Sequence, residues 1–260
     1  MNAPEGEVKF VPKQALSPTP QLYDELVSDS MENLAKASVA FVPITSGSIV
    51  NDNSCGTGAA SAAVVSAIAD QSVDIAIKGT DINEDALKVY RKNAAEGAWS
   101  AEAVNMDSNA LKYDDGTFSI SIGNALLFVL PNDGIGAVKD MYRTLKPGGK
   151  AIVNSWAYVP NMPTLEAAAK ATRPPGTPLP RAGLENVEKG GFRKDQITIH
   201  TADVYVTTAP PRGWLKSDEE NWDKAVDVIK QEMKKTDGYK ELPGGRSLLK
   251  FIANIAVATK

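Results

Sequence analysis

The chain has 260 residues, 43% hydrophobic and 23% charged, which is ordinary for a globular protein. Its net charge is −4, from 28 basic and 32 acidic residues with no basic block, which argues against a nucleic-acid footprint. No apolar run approaches the ~20 residues that span a bilayer, and Cys55 is the single cysteine, so an internal disulfide is excluded and a reducing, cytoplasmic setting is expected.

Residues 1–20 hold four prolines and little periodicity, and read as a flexible leader without the basic and apolar regions of a signal peptide. Residues 21–260 read as a single domain. Its first part, 21–47, carries helical stretches at Leu22–Val27 and Met31–Ala35, a cap ahead of the first strand. Strands are expected near 48–53, 75–80, 102–106, 117–123 and 150–156, and helices near 58–70, 83–95 and 133–146. Such alternation implies a parallel sheet with helices on both faces, whose ligands sit outside the carboxyl ends of the strands.

After a core over 48–157 the pattern loosens. Six prolines break up 158–182, so no long helix is expected there, and the segment reads as a lid or substrate wall. The remainder, 183–260, reads as a short helix over Gly183–Gly190, a sixth strand around Ile197–Val206, a helix near 217–235 and a seventh strand near 251–258.

The most informative stretch is Asn51-Asp52-Asn53-Ser54-Cys55-Gly56-Thr57-Gly58, which joins an apolar run to an alanine-rich helical stretch. Its glycines permit a sharp turn and a close approach to a ligand, and the new helix offers free N–H groups. Asp81 follows Gly58 by about 23 residues at the end of a second apolar run, near the spacing at which a carboxylate grips a ribose diol. Asn105-Met106-Asp107 ends a third run, and Lys146-Pro147-Gly148-Gly149 stops a helix before the Ala151–Trp156 strand.

In this order the pieces resemble a class I S-adenosylmethionine-dependent methyltransferase of the small-molecule type. More narrowly, the Asn51–Gly58 segment, Gly79-Thr80-Asp81-Ile82 and the Ser155-Trp156 strand end are similar to fungal secondary-metabolite methyltransferases, the group that includes gliotoxin-type thiol methyltransferases. The resemblance covers about residues 48–157 well, and departs from the family where Ser54 replaces the usual glycine.

The resemblance implies an α/β Rossmann-like, seven-stranded, mostly parallel sheet, with the seventh strand inserted antiparallel beside the sixth. It also implies S-adenosylmethionine as cofactor, S-adenosylhomocysteine as product and no metal. Asp52 would order the turn and reach the methionine amino group, beside Asn53, Cys55, Gly56 and Gly58. Asp81 would hold the ribose, and Ile82, Met106 and Asp107 would border the adenine. Asn124 would close the fourth strand where donor and acceptor meet, with Trp156 a second positioning candidate, and Tyr23 would close over the cofactor. The residues themselves leave other roles open: Asp52 as a turn cap, Asp81 as the N-cap of the helix starting at Asn83, Cys55 as a packing residue, and Asn124 as a structural amide.

His200, the only histidine, falls in the sixth strand away from the expected cleft, so no obvious general base is at hand. Alignment of an activated donor with a thiol, or with an acidic hydroxyl, needs none. The acceptor is expected to be a small molecule, S- or O-methylated, in a pocket walled by residues such as Trp156, Tyr158, Met162 and Trp214. Two alternatives remain. One is a methyltransferase-fold protein that binds the cofactor without transfer. The other is a short-chain dehydrogenase, which Tyr142 and Lys146 match in spacing, although the third glycine and the serine of that family are missing.

Overall fold

The computed structural model of the chain describes residues 28–176, 192–207, 217, 220–244 and 246–260. Tyr23, Trp214, the leader, the 183–190 helix and the side chain of Met162 lie outside what is described. Among the described residues the chain divides into two compact units. One comprises 29–158, 192–205 and 251–260, and the other comprises 28, 159–176, 206–207, 217, 220–244 and 246–250.

The strands are β1 (Ser48–Asn53), β2 (Ile75–Asp81), β3 (Ala101–Asn105), β4 (Phe118–Gly123), β5 (Leu145–Tyr158), β6 (Ile197–Thr207), β7 (Lys240–Leu242) and β8 (Arg246–Thr259). They form one eight-stranded sheet in the order β3-β2-β1-β4-β5-β8-β6, with the short β7 paired to β8. Neighbours from β3 to β5 run parallel, and β8 runs antiparallel to β5. This is the expected Rossmann-like sheet with one hairpin strand added. β5 begins at Leu145, before Pro-Gly-Gly instead of after it. The turn glycines are tied to the last residue, Gly148 N–H donating to Lys260 O (2.8 Å) and Lys260 N–H to Gly149 O (3.0 Å).

Both faces of the first unit's sheet are covered. Helix α1 (Ser30–Val39) buries Leu34, Ala35, Ser38 and Val39 at helical spacing, and packs on α2 (Ala59–Ala67), whose Ala60, Ser61, Ala63 and Val64 are buried. Small side chains on α2 let the two helices approach closely. Helix α3 (Glu84–Glu96) starts at Asn83, whose Oδ1 accepts the N–H groups of Asp85 (3.0 Å) and Ala86 (3.3 Å). The cap is therefore Asn83 itself and not Asp81. Helix α4 (Ile135–Thr144) buries Ala137, Val138 and Met141 in a cluster with Phe118, Leu127, Leu145, Val153 and Phe192. Each large side chain buried there contributes roughly 1.5–3 kcal/mol.

In the second unit the expectation of no long helix over 158–182 fails. Helix α5 (Asn161–Thr172) occupies it and packs on α6 (Trp222–Met233), with Lys224 Nζ donating to Ala171 O (2.9 Å). Pro163 lies in the first turn, where its missing N–H would have had no intrahelical acceptor, so it is tolerated. The break comes only at Pro174, since the residue before a proline avoids helical geometry.

Candidate functional site

The chain leaves β1 for β2 on one side and later returns to β4 on the other, so the strand order reverses at β1. In open α/β sheets a ligand crevice lies outside the carboxyl ends of the strands at such a reversal. Here those ends are the Ser54–Gly58 turn after β1, Asp81 and Ile82 after β2, Met106 and Asp107 after β3, and Asn124–Val129 after β4.

Three residues of the first turn are left-handed: Ser54 (φ 60°), Gly56 (φ 52°) and Gly58 (φ 102°). The turn thus keeps the glycine-like shape even where serine stands in place of glycine, at a cost of about 1–2 kcal/mol for the crowded Cβ. Ser54→Gly should remove that strain and, after the extra chain entropy of glycine, raise stability by about 0.5–1 kcal/mol in urea unfolding. The two glycines differ in their surroundings. A Cβ on Gly56 would meet nothing within 4 Å, whereas one on Gly58 would lie 2.8 Å from Trp99 and 3.1 Å from Tyr90. Gly56 faces open space; Gly58 seats the turn on the Tyr90–Trp99 pair.

Asp81 ties the strand end to the turn. Its Oδ2 accepts the Gly56 N–H (2.9 Å) and its Oδ1 the Asn83 N–H (2.8 Å). A carboxylate has about four acceptor positions, so two remain for a ligand hydroxyl pair. Beside it Ile82 is 69% exposed, a large apolar side chain held in the open at the mouth of the crevice. Met106 is buried and its backbone N–H donates to Asp81 O (3.0 Å), while the exposed Asp107 turns its Oδ1 onto the Asn109 N–H (2.8 Å).

Asp52 is fully buried. Its Oδ2 accepts the Ser61 N–H (2.9 Å) and the Ser61 hydroxyl (2.7 Å), and that hydroxyl meets Tyr90 OH at 2.7 Å. Burial pushes the Asp52 carboxyl up to about 6, only partly offset by the Ser61 bonds. The neighbouring Cys55 thiol is driven well above its ordinary range by burial and then by the charges of Asp52 and Asp81, which makes it a poor nucleophile and suits the packing role. Asn53 points to the opposite sheet face from Asp52. It is buried, accepts a long bond from Thr80 Oγ1 (3.4 Å), and its Nδ2 has no partner among the described residues.

Asn124 is half-buried and engaged on both sides: Nδ2 donates to Met31 O (3.0 Å), and Oδ1 accepts from Asn154 Nδ2 (2.8 Å). Trp156 is half-buried against Phe251, with ring centroids 5.1 Å apart. His200 lies on β6 stacked on Phe41 at 3.9 Å, in keeping with a strand residue. Sequence reasoning missed Ser61, Tyr90 and Asn154. For Asn154 a signal existed, a lone amide in the apolar run Ala151-Ile152-Val153.

Residues 50–149 match a methyltransferase domain family. The chain has the Rossmann-like methyltransferase fold. Among solved structures it is similar to a putative methyltransferase from Bacillus halodurans (17% identity, TM-score 0.53, covering 90% of this chain and 99% of that one). It is also similar to the [4+2]-cyclase SpnF (16%, 0.51, 88% and 81%). A third likeness is phosphoethanolamine N-methyltransferase 2 from Haemonchus contortus, solved with phosphomonomethylethanolamine and S-adenosylhomocysteine (14%, 0.51, 88% and 52%). No curated protein matches the chain in sequence. Among the described residues, no helix is long and apolar enough to cross a membrane.

Proposed function

We propose that the chain is an S-adenosylmethionine-dependent methyltransferase acting on a small molecule. The observation that carries this reading is the joining of the glycine turn to the acidic strand end, Gly56 N–H to Asp81 Oδ2, at the point where the strand order reverses. The residues present fit the cofactor: a carboxylate with acceptor positions to spare, an exposed isoleucine for a flat base, and an open glycine backbone. The domain match and the likeness to an enzyme solved with S-adenosylhomocysteine support the same reading.

When bound, the cofactor would supply a sulfonium methyl group for in-line attack, the nucleophile bonding to the methyl carbon as the carbon–sulfur bond breaks and S-adenosylhomocysteine leaves. Asp81 holds the ribose hydroxyls, and Ile82 and Met106 bracket the base. The Asp52 carboxylate, braced by Ser61, orders the turn. Asn124 and its neighbours form the wall on the β4 side. The protein's part is alignment and exclusion of water, which lowers a barrier by something like 7–11 kcal/mol. The only histidine is spent on stacking in β6, so the acceptor that suits this site is one already ionised, a thiolate or an acidic hydroxyl from a secondary-metabolite-like molecule. The negative net charge is against a nucleic-acid acceptor.

Asp81→Ala should weaken S-adenosylhomocysteine binding at least tenfold, about 1.4 kcal/mol, in calorimetric titration. An unchanged titration removes Asp81 from the site. Incubation with labelled donor and a panel of thiols, phenols and amines then reads the transfer. Binding without transfer to any of them would favour the alternative, a methyltransferase-fold protein that holds the cofactor without transfer, as a rearrangement catalyst or a regulator.

A further inference from the structure

The β4 side of the crevice is held from beneath by one buried amide. Asn154, on β5, is 1% exposed and uses both hydrogens and its oxygen. Its Nδ2 donates to Ser38 Oγ (2.7 Å) on α1 and to Asn124 Oδ1 (2.8 Å), and its Oδ1 accepts the Ala125 N–H (2.7 Å). Ser38 passes the chain on to Leu34 O (2.7 Å), and Asn124 to Met31 O (3.0 Å). Ala125, the residue so gripped, stands at φ 53°, a left-handed shape that costs a residue with a Cβ about 1–2 kcal/mol. A strained residue of this kind persists only where its surroundings over-determine it. Here the surroundings are one hydrogen bond from Ala125 to an amide that is itself fixed by two more, to Ser38 and Asn124, and the strained residue borders the crevice that the strand order creates.

We propose that Asn154 is a positioning residue: it locks Asn124 and Ala125 in the one backbone shape that presents the β4 wall to the transferable methyl, and links that wall to α1. This rests on the cofactor reading above. A ligand at the reversal between β1 and β4 must lie against the segment after β4, so the shape of 124–125 sets where the reactive end of that ligand points. Asn154 itself lies below this wall and acts only through it.

The two arms of the amide separate positioning from support. Asn154→Asp keeps the size but replaces both donors by acceptors, releasing Asn124 and Ser38 together. Ser38→Ala removes only the α1 arm. Ala125→Gly leaves every side-chain bond in place and frees the strained φ. The experiment records the methyl resonance of S-adenosylmethionine carrying carbon-13 on its methyl group, bound to each variant, alongside calorimetric titration and thermal melting. Asn154→Asp and Ala125→Gly should move or broaden the bound resonance by more than its linewidth, while Ser38→Ala lowers the melting temperature and leaves the resonance in place. Should Asn154→Asp not fold, Ala125→Gly carries the test alone. A bound resonance identical to wild type in the variants that fold, with donor bound, overturns the proposal. A wild-type protein that leaves the donor spectrum at its free position overturns the cofactor reading itself, and this inference with it.

Discussion

Gly58→Ala should destabilise the protein by about 3 kcal/mol, while Gly56→Ala, two residues earlier, should cost only about 1 kcal/mol and instead abolish most cofactor binding. Both positions are left-handed, so both charge a Cβ the same conformational strain of about 1–2 kcal/mol, reduced by what alanine saves in the unfolded chain. They differ in what that Cβ meets. At Gly58 it lies 2.8 Å from the Trp99 ring and 3.1 Å from Tyr90, a fully buried side chain that cannot withdraw, so overpacking adds about 1–3 kcal/mol. At Gly56 it enters open space, and that space is where the ligand backbone contact would form. Urea unfolding and S-adenosylhomocysteine titration on the two variants should therefore give opposite rankings. If both measurements rank them alike, the crevice does not open at Gly56.

Asp52→Asn should make the protein more stable at neutral pH, by about 3 kcal/mol, and weaken cofactor binding. The carboxyl is pushed up to about 6 by burial, against about 4 for an exposed aspartate. The sign follows from proton counting. Between about pH 4 and pH 6 the folded state holds a proton that the unfolded chain has released, so stability falls as pH rises through that window. Above pH 6 the cost is complete, roughly 1.4 kcal/mol for each of about two pH units. Asparagine has no such charge, and its Oδ1 can still accept from Ser61. Urea melts from pH 4 to 8 should show the wild type losing stability between 4 and 6 and the variant losing less. Parallel curves would show that Asp52 is not the group responsible. A buried charge kept at such a cost is one sign that the position serves binding and not folding.

Much of this was legible before any coordinates. Asp52, Gly56, Gly58 and Asp81 all lie at carboxyl strand ends around one strand reversal, because turn chemistry and strand-helix alternation are local properties that a sequence displays. What escaped were partnerships across the fold. Nothing near Asp52 announces that Ser61 will hold its carboxylate and that Tyr90 will in turn meet the Ser61 hydroxyl, since the two come from different helices. Asn124 read as a possible acceptor contact, yet its amide is occupied by Met31 and Asn154, 93 and 30 residues away. The helix at 161–172 is hidden for a different reason: six prolines mark the segment 158–182 as broken, but the one inside the helix lies in its first turn, where it is harmless. The narrower likeness to gliotoxin-type enzymes concerns the acceptor, which no backbone pattern encodes.

The place of β8 has a consequence for how the molecule is made. It fills the slot between β5 and β6, yet it is synthesised after both, with α6 and the β7 turn still to come in between. While the chain grows on the ribosome, β5 therefore waits with one rim bare and β6 has no neighbour at all, two adhesive borders exposed together. Closing that gap is a late, long-range event of the slow kind. Clipping the polypeptide anywhere before Phe251 would leave the gap open for good.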